Sequence, residues 1–185
     1  RAPVKAWLLA QQYKAIHPFT NAAPGGWAWT DLPGGVPDAD DTSSALIALW
    51  HLCESEAERR ELIPAVEAGI VWLLDLQNRD GGMPTFCRGW GTLPFDRSTP
   101  EITAHALWAC SLWQAALSDE LKVRVEKAGE RSVAYLNKTQ RADGSWLPLW
   151  FGNEGAPDED NPVHGTAMVV LALATVFRQH GRAQK

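Results

Sequence analysis

The chain repeats itself every 63 residues or so, and a repeat of that length restricts the folds open to it more than any other feature. Trp7-Leu8-Leu9-Ala10-Gln11-Gln12, Trp72-Leu73-Leu74-Asp75-Leu76-Gln77 and Tyr135-Leu136-Asn137-Lys138-Thr139-Gln140 share one pattern: an aromatic-Leu pair, then Gln five positions after the aromatic. The glutamines are 65 and 63 positions apart, and a glycine turn follows each at Gly25-Gly26, Gly81-Gly82 and Gly144-Ser145. A second register lies behind the first. Thr42, Thr103 and Thr166, 61 and 63 apart, each open an apolar run. Each repeat therefore reads as helix, loop, helix. The first helix carries polar residues along one side, as from Pro64 to Gln77, and should face outward. The second is apolar nearly all round, as in Ala104 to Leu112 and Thr166 to Ala174, and belongs inside. Alternating outer and inner helices make an all-α fold, an α/α toroid built from three helical hairpins, in which each hairpin buries its inner helix against its neighbours. The long loops Gly25–Asp38, Gly81–Pro100 and Gly144–Pro162 are rich in Gly, Pro and aromatics, and are expected to be ordered and to wall one end of the toroid.

Bulk properties remove several classes. The 185 residues carry a net charge of −5, which argues against nucleic acid and against a polybasic membrane patch. Cys53, Cys87 and Cys110 read as free thiols of a reducing, cytoplasmic compartment. No C-x-x-C or His/Cys cluster suggests a zinc site. No apolar run reaches the ~18 residues of a membrane span. The start, Arg1-Ala2-Pro3-Val4-Lys5, has neither an initiator Met nor a secretory segment, and reads as a cut inside a longer protein. Most of the ten tryptophans should be core, with some lining an apolar cavity.

Pro37-Asp38-Ala39-Asp40-Asp41-Thr42 crowds three carboxylates against the start of an inner helix. An N-cap uses one such side chain. Capping accounts for one of Asp40, Asp41 and Thr42, and for Thr103 and Thr166, but not for the triplet. Equivalent positions in a toroid face one central space, so the triplet shares it with Glu101 and His105 of the second repeat and His164 of the third. A histidine on an apolar helix is also an ordinary hydrogen-bonded core residue, but the register of His105 with the aspartates points to a paired role. Carboxylates that share a partly dry pocket oppose one another's ionisation, so one keeps its proton. A nearby imidazolium makes that proton easier to give up. Such an acid can protonate a carbon–carbon double bond. Trp27, Trp29, Phe86, Trp90, Phe95, Trp150 and Phe151 are placed by the repeat to line an apolar cavity that stabilises a cation, at about 2 kcal/mol or more when desolvated.

At these residues the chain resembles the class II terpene cyclases, squalene–hopene cyclases above all. Asp38-Ala39-Asp40-Asp41-Thr42 is similar to their D-x-D-D-T motif, Pro24-Gly25-Gly26-Trp27-Ala28-Trp29 to their P-G-G-F-A-F stretch, and Glu101-Ile102-Thr103-Ala104-His105 to their D-V-T-A-H segment. The repeats resemble their QW motifs, with Met83 where Trp is expected, and His164-Gly165-Thr166 falls where they have Y-G-T. The resemblance implies a partial six-hairpin barrel. It implies Asp40 as proton donor to a terminal alkene, Asp38 and Asp41 tuning it, and His105 bonded to it. Trp29 takes the place of a cation-stabilising Phe, Phe86 that of a cavity Tyr, and Trp27, Trp90, Glu101 and His164 line the substrate space. The implied substrate is an apolar isoprenoid such as squalene, cyclised without metal or cofactor. Family members are several hundred residues long, so residues 1–185 read as a single partial toroid domain, a fragment to be completed by the rest of the toroid or by a homodimer partner. A squalene-using parent implies peripheral contact with the inner membrane. Alternatives are a non-catalytic isoprenoid-binding or scaffold toroid, and a class II diterpene cyclase whose diphosphate would meet Arg88 and Arg97. A prenyltransferase β-subunit shares the toroid but needs zinc ligands, and Asp96 and Cys110 form no such pattern.

Overall fold

The computed structural model of the chain describes residues 1–87 and 96–183, with 179–183 as backbone alone. Three hairpins follow one another. The first is α1 (Ala2–Gln11) and α2 (Ala39–Leu52), the second α3 (Glu56–Leu76) and α4 (Pro100–Trp113), the third α5 (Asp119–Thr139) and α6 (Pro162–Ala183). The inner helices α2, α4 and α6 pack side by side, with α4 in the middle. The outer helices α3 and α5 lie against each other and against α2 and α4 respectively. This is the alternating arrangement that the repeat requires. Two small antiparallel ribbons, β1 (Trp27–Ala28) with β2 (Pro37–Asp38) and β3 (Met83–Pro84) with β4 (Ser98–Thr99), close the first two loops just before the inner helices. At two residues per strand they carry no alternating pattern, and the sequence reading lacks them.

The repeated glutamines hold the hairpins together. Each is the C-cap residue of an outer helix. Gln12 Nε2 donates to the Gly25 carbonyl (2.9 Å) in its own loop and to the Ala65 carbonyl (2.8 Å) on the next outer helix. Gln77 Nε2 repeats this with Gly81 (2.9 Å) and Ala128 (3.0 Å). Gln140 donates to Gly144 (2.9 Å) and is exposed. The glycines are required at the first two joints. Gly25 (φ +121°) and Gly81 (φ +93°) adopt a conformation that L side chains avoid, and a Cβ on either would run into the Ala68 or Arg131 carbonyl of the next outer helix.

A second set of ties fixes the loops on the inner helices. Thr42, Thr103 and Thr166 each accept, through Oγ1, the backbone N–H of the loop residue at one equivalent position: Trp27 (2.9 Å), Met83 (2.8 Å) and Trp146 (3.1 Å). These threonines are straps. The cap of α2 is Asp38, whose Oδ1 accepts from Asp41 N–H at 2.7 Å. Trp27 and Trp146 add indole N–H bonds to Leu8 and Leu136 carbonyls (both 2.8 Å). Met83 fills the middle position, buried, and has no such donor to offer.

The burial pattern corrects the expectation of uniformly apolar inner helices. Among the described residues only α4 is buried nearly all round, with Trp108 half-buried. On α2, Ser44 and His51 face solvent. On α6, Val163, Val170, Leu171 and Phe177 form an exposed apolar stripe, Val163 at 78%. The tryptophans divide more evenly than expected: Trp27, Trp72, Trp113 and Trp146 are buried, Trp50 and Trp108 half-buried, and Trp7, Trp29 and Trp150 exposed. The three cysteines are buried and free, and no helix among the described residues is long and apolar enough to cross a membrane.

The joints make a test. Gln77→Ala removes the donor shared by the Gly81 and Ala128 carbonyls, leaving Gly81 only the longer Ser132 hydroxyl bond (3.3 Å), and should destabilise the chain by roughly 1–3 kcal/mol, whereas Gln140→Ala, at an exposed amide, should cost under about 0.5 kcal/mol. Urea melts of the two variants check the difference, and equal losses would refute the role given to the joint.

Candidate active site

The acid cluster sits where the N-terminal ends of α2 and α4 meet. The extended residues Pro37 and Asp38 deliver the chain into α2, and the Ala39 N–H bonds back to the Thr85 carbonyl (3.4 Å), so the second loop abuts the first helical turn. One turn on, α4 presents His105 to α2. Its Nδ1 lies 2.7 Å from Asp40 Oδ1. The contact spans 65 residues of sequence and joins two repeats. The histidine side chain is 10% exposed and that of Asp40 is 38% exposed, so the carboxylate opens outward from a buried base.

The three aspartates do not share one environment. Asp38 is 3% exposed. Burial first, then the neighbouring Asp41 and Asp40 carboxylates, push its carboxyl up to about 9, against the Asp41 N–H bond that pulls it down. At neutral pH Asp38 therefore holds a proton it cannot pass directly to an outside molecule. Asp41 is half-buried, and its backbone N–H is the one that caps onto Asp38.

Glu101 belongs to the cluster but does not line open space. It is 1% exposed. Its Oε2 accepts from the Thr99 hydroxyl and its Oε1 from Leu149 N–H (3.3 Å), which ties the third loop to the start of α4. Burial raises its carboxyl, while the Thr99 and Leu149 bonds oppose the rise. Trp27 is likewise sealed. It is 2% exposed, its indole bonds to Leu8, and its ring packs on Gly69. Both side chains act as struts beneath the site.

The aromatic rim comes from the loops. Trp29, 53% exposed, meets the half-buried Phe86 edge to face, with centroids 6.3 Å apart. Phe151, 40% exposed, lies 4.8 Å from the His164 ring at the start of α6. The His164 N–H bonds to Asn161 Oδ1 (3.2 Å). Trp150 follows Leu149 over the Glu101 strut. Trp108 stands one turn after His105, 6.3 Å from its ring. Trp90, Phe95 and Arg88 lie outside the described residues. The Trp29–Phe86 and Phe151–His164 pairs are separate, and the contact that joins an acid to a histidine here is that of Asp40 with His105. Arg97 is exposed in a separate polar depression with Asn78, Arg79 and Asp80.

One structural residue escaped the sequence reading. His17 is 3% exposed. Its Nδ1 accepts from Thr20 N–H (3.2 Å), and its Nε2 donates to the Gly35 carbonyl (2.9 Å), which Tyr13 Oη also reaches (2.7 Å). These bonds define the neutral Nε2–H form and clamp the first loop two residues before β2. A lone loop histidine gives no sign of this in sequence.

The Asp38 carboxyl yields a pH prediction. A group raised in the folded state stabilises the fold fully below its unfolded value, about 4, and loses that contribution as pH rises toward 9. Asn keeps the cap but cannot ionise. Asp38→Asn should therefore gain stability relative to the parent, by on the order of 2–4 kcal/mol, between pH 4 and 9. Parallel melts measure it, and a pH-independent difference would contradict the buried, protonated assignment.

Comparison with known proteins follows the geometry. The sequence profile of the squalene-hopene cyclase C-terminal domain matches residues 4–184. A probable squalene–hopene cyclase of Sinorhizobium fredii is 30% identical over 172 residues, 86% of this chain and 24% of that protein. The squalene–hopene cyclase of Alicyclobacillus acidocaldarius is 30% identical over 193 residues, covering 92% and 27%. Sporulenol synthase of Bacillus subtilis is 29% identical over 156 residues, covering 78% and 23%. The chain spans roughly a quarter of the length of these curated relatives. Among solved structures, a Family 10 polysaccharide lyase from Cellvibrio cellulosa superposes with a TM-score of 0.60 at 18% identity over 96% of this chain and 65% of its own. A possible GH105 member from Klebsiella pneumoniae gives 0.54 at 19%, over 77% and 38%. At such identities these two share the fold alone.

Proposed function

The chain belongs to the squalene–hopene cyclase family, and on that premise we propose that it carries the proton-donating part of a cyclase acting on an apolar polyprenyl substrate such as squalene. The observation that supports this most is the 2.7 Å contact of Asp40 with His105, two side chains from different repeats that meet at the start of two inner helices. Oδ1 of Asp40 accepts the His105 Nδ1–H, which leaves Oδ2 to carry the proton. The π electrons of a terminal double bond take that proton, and the more substituted carbon becomes cationic. The next double bond closes a ring on it, and loss of a proton or capture of water discharges the last cation. Asp40 is left as a carboxylate that the His105 Nδ1–H bond stabilises. Asp38 stays protonated beneath it, so the cluster does not carry a full set of repelling charges. Trp29, Phe86, Trp150 and Phe151 offer ring faces to the travelling cation.

Residues 1–185 act in this reading as one part of a larger toroid. The apolar stripe on α6 supports it, because exposed Val163, Val170, Leu171 and Phe177 form the kind of face that the next inner helix covers between α2, α4 and α6. Further hairpins, or a second copy of the chain, complete the wall around the substrate. The absence of a spanning helix among the described residues is compatible with contact at a membrane surface, where squalene dissolves.

The test is a product assay on the whole polypeptide to which the chain belongs. With squalene in detergent, gas chromatography and mass spectrometry should find a cyclised product, and Asp40→Asn should lower its rate by about 10²–10⁴-fold. Unchanged turnover in the variant would overturn Asp40 as the acid. No product from squalene with a parent that turns over a shorter prenyl diphosphate would overturn the substrate.

A further inference from the structure

An apolar cavity of about 500 Å³ opens between α4, α5 and α6, on the helix stack away from the acid cluster. The repeat shows how it arises. In the preceding unit the same space, between α2, α3 and α4, is solid. Trp113 fills it, buried at 0% exposure, with its indole N–H on the Leu46 carbonyl (2.9 Å) and its ring edge-on to Trp50 at 5.0 Å. The straps fix the correspondence. Trp113 stands ten residues after Thr103, as Val176 stands ten after Thr166, and Trp50 stands eight after Thr42, as Ser111 stands eight after Thr103. Both indoles have thus become small side chains. The outer helix changes in the same sense: Val66 and Ile70 of α3 correspond to Gly129 and Val133 of α5. All four replacements remove volume, and all four lie around one space.

Apart from half-buried Gln114, the remaining wall is apolar, including Leu107 and Cys110, whose thiol burial pushes up to about 12 and so keeps uncharged. The mouth differs in kind. Exposed Glu126 and Glu130, one turn apart on α5, flank it, and Glu126 stands where α3 has Ile63. Neither carboxylate has an ion-pair partner among the described residues. An apolar recess of ligand size with two carboxylates at its opening that have no ion-pair partner among the described residues complements a chain that is greasy along its length and positive at one end.

We propose that the space between α4, α5 and α6 is a binding site for a single-chain cationic amphiphile, its hydrocarbon tail in the cavity and its ammonium head between Glu126 and Glu130. It is separate from the acid cluster and does not depend on the cyclase reading.

The probe is dodecylammonium below its micelle concentration, titrated calorimetrically into the whole polypeptide to which the chain belongs, beside dodecyl maltoside and dodecyl sulfate. Dodecylammonium should bind one to one. Val176→Trp, which restores the indole of the preceding repeat, should weaken binding at least tenfold and raise the melting temperature by about 2–4 °C. Should the indole overfill the space, Gly129→Val serves instead: a Cβ there meets only Leu107 Cδ1 at 3.4 Å, an ordinary contact. Glu126→Gln with Glu130→Gln should weaken dodecylammonium several-fold and leave dodecyl maltoside unchanged. Binding of dodecylammonium that survives both filling variants would overturn the cavity as its site. Equal affinity for the neutral and cationic probes, unaltered by the glutamine pair, would overturn the cationic head.

Discussion

The amide nitrogen of Gln77 lies within hydrogen-bond distance of the Gly81 and Ala128 carbonyls and the Ser132 hydroxyl, buried between α3 and α5. Two protons serve three oxygens there, and the loop glycine and the neighbouring helix are fixed in one stroke. The glycine must lack a side chain, because the next outer helix runs its backbone against it. The loop is thereby pinned at one end to an outer helix and at the other, through the threonine strap, to an inner helix. Everything at the acid end of the stack hangs from loops held in this way. The cluster stands on stacked repeats and not on any single helix.

From that scaffold follows an unequal division among like charges. Asp38, Asp40 and Asp41 are neighbours in sequence, yet the turn into α2 puts Asp38 inside and leaves Asp40 facing out. Burial makes the inner carboxyl hold its proton, and a neutral Asp38 removes one repulsion from beside the outer one. The helix start adds N–H groups that favour negative charge. His105, brought by a different repeat, then has one accessible carboxyl group to serve. The departure from a plain helix cap that the triplet suggests is an electrostatic arrangement, and one member of it does the capping as well.

Much of this was legible in sequence because it is periodic. The glutamine and threonine registers give the hairpins and their order; they match Asp40 with Glu101, and His105 stands one turn further along α4, so its bond to Asp40 was legible from the D-x-D-D and T-A-H segments of the resemblance and not from equal positions. What was not legible depends on direction within a position. Glu101 and Trp27 stand at the right height but turn inward, to Thr99 and Leu149 in one case and to Leu8 in the other. Their partners are close in sequence or are backbone atoms, which leave no pattern. The threonines resemble caps by their place before apolar runs, and only the loop N–H groups they accept show them as straps. The two short ribbons are below the length at which alternation can be read. His17 is invisible for a related reason: three of its partners are backbone or hydroxyl groups in its own loop.

The unequal carboxylates are the central claim, and a carboxyl titration addresses them directly. With the aspartate side-chain carboxyls labelled with carbon-13, nuclear magnetic resonance across pH 3 to 10 reads each ionisation. One resonance should remain protonated through neutrality, titrate at about 9 and be missing in Asp38→Asn, while the Asp40 resonance responds to His105→Ala. If every aspartate ionises below pH 6, the acid cluster has no dry member, and the division of roles between Asp38 and Asp40 is wrong.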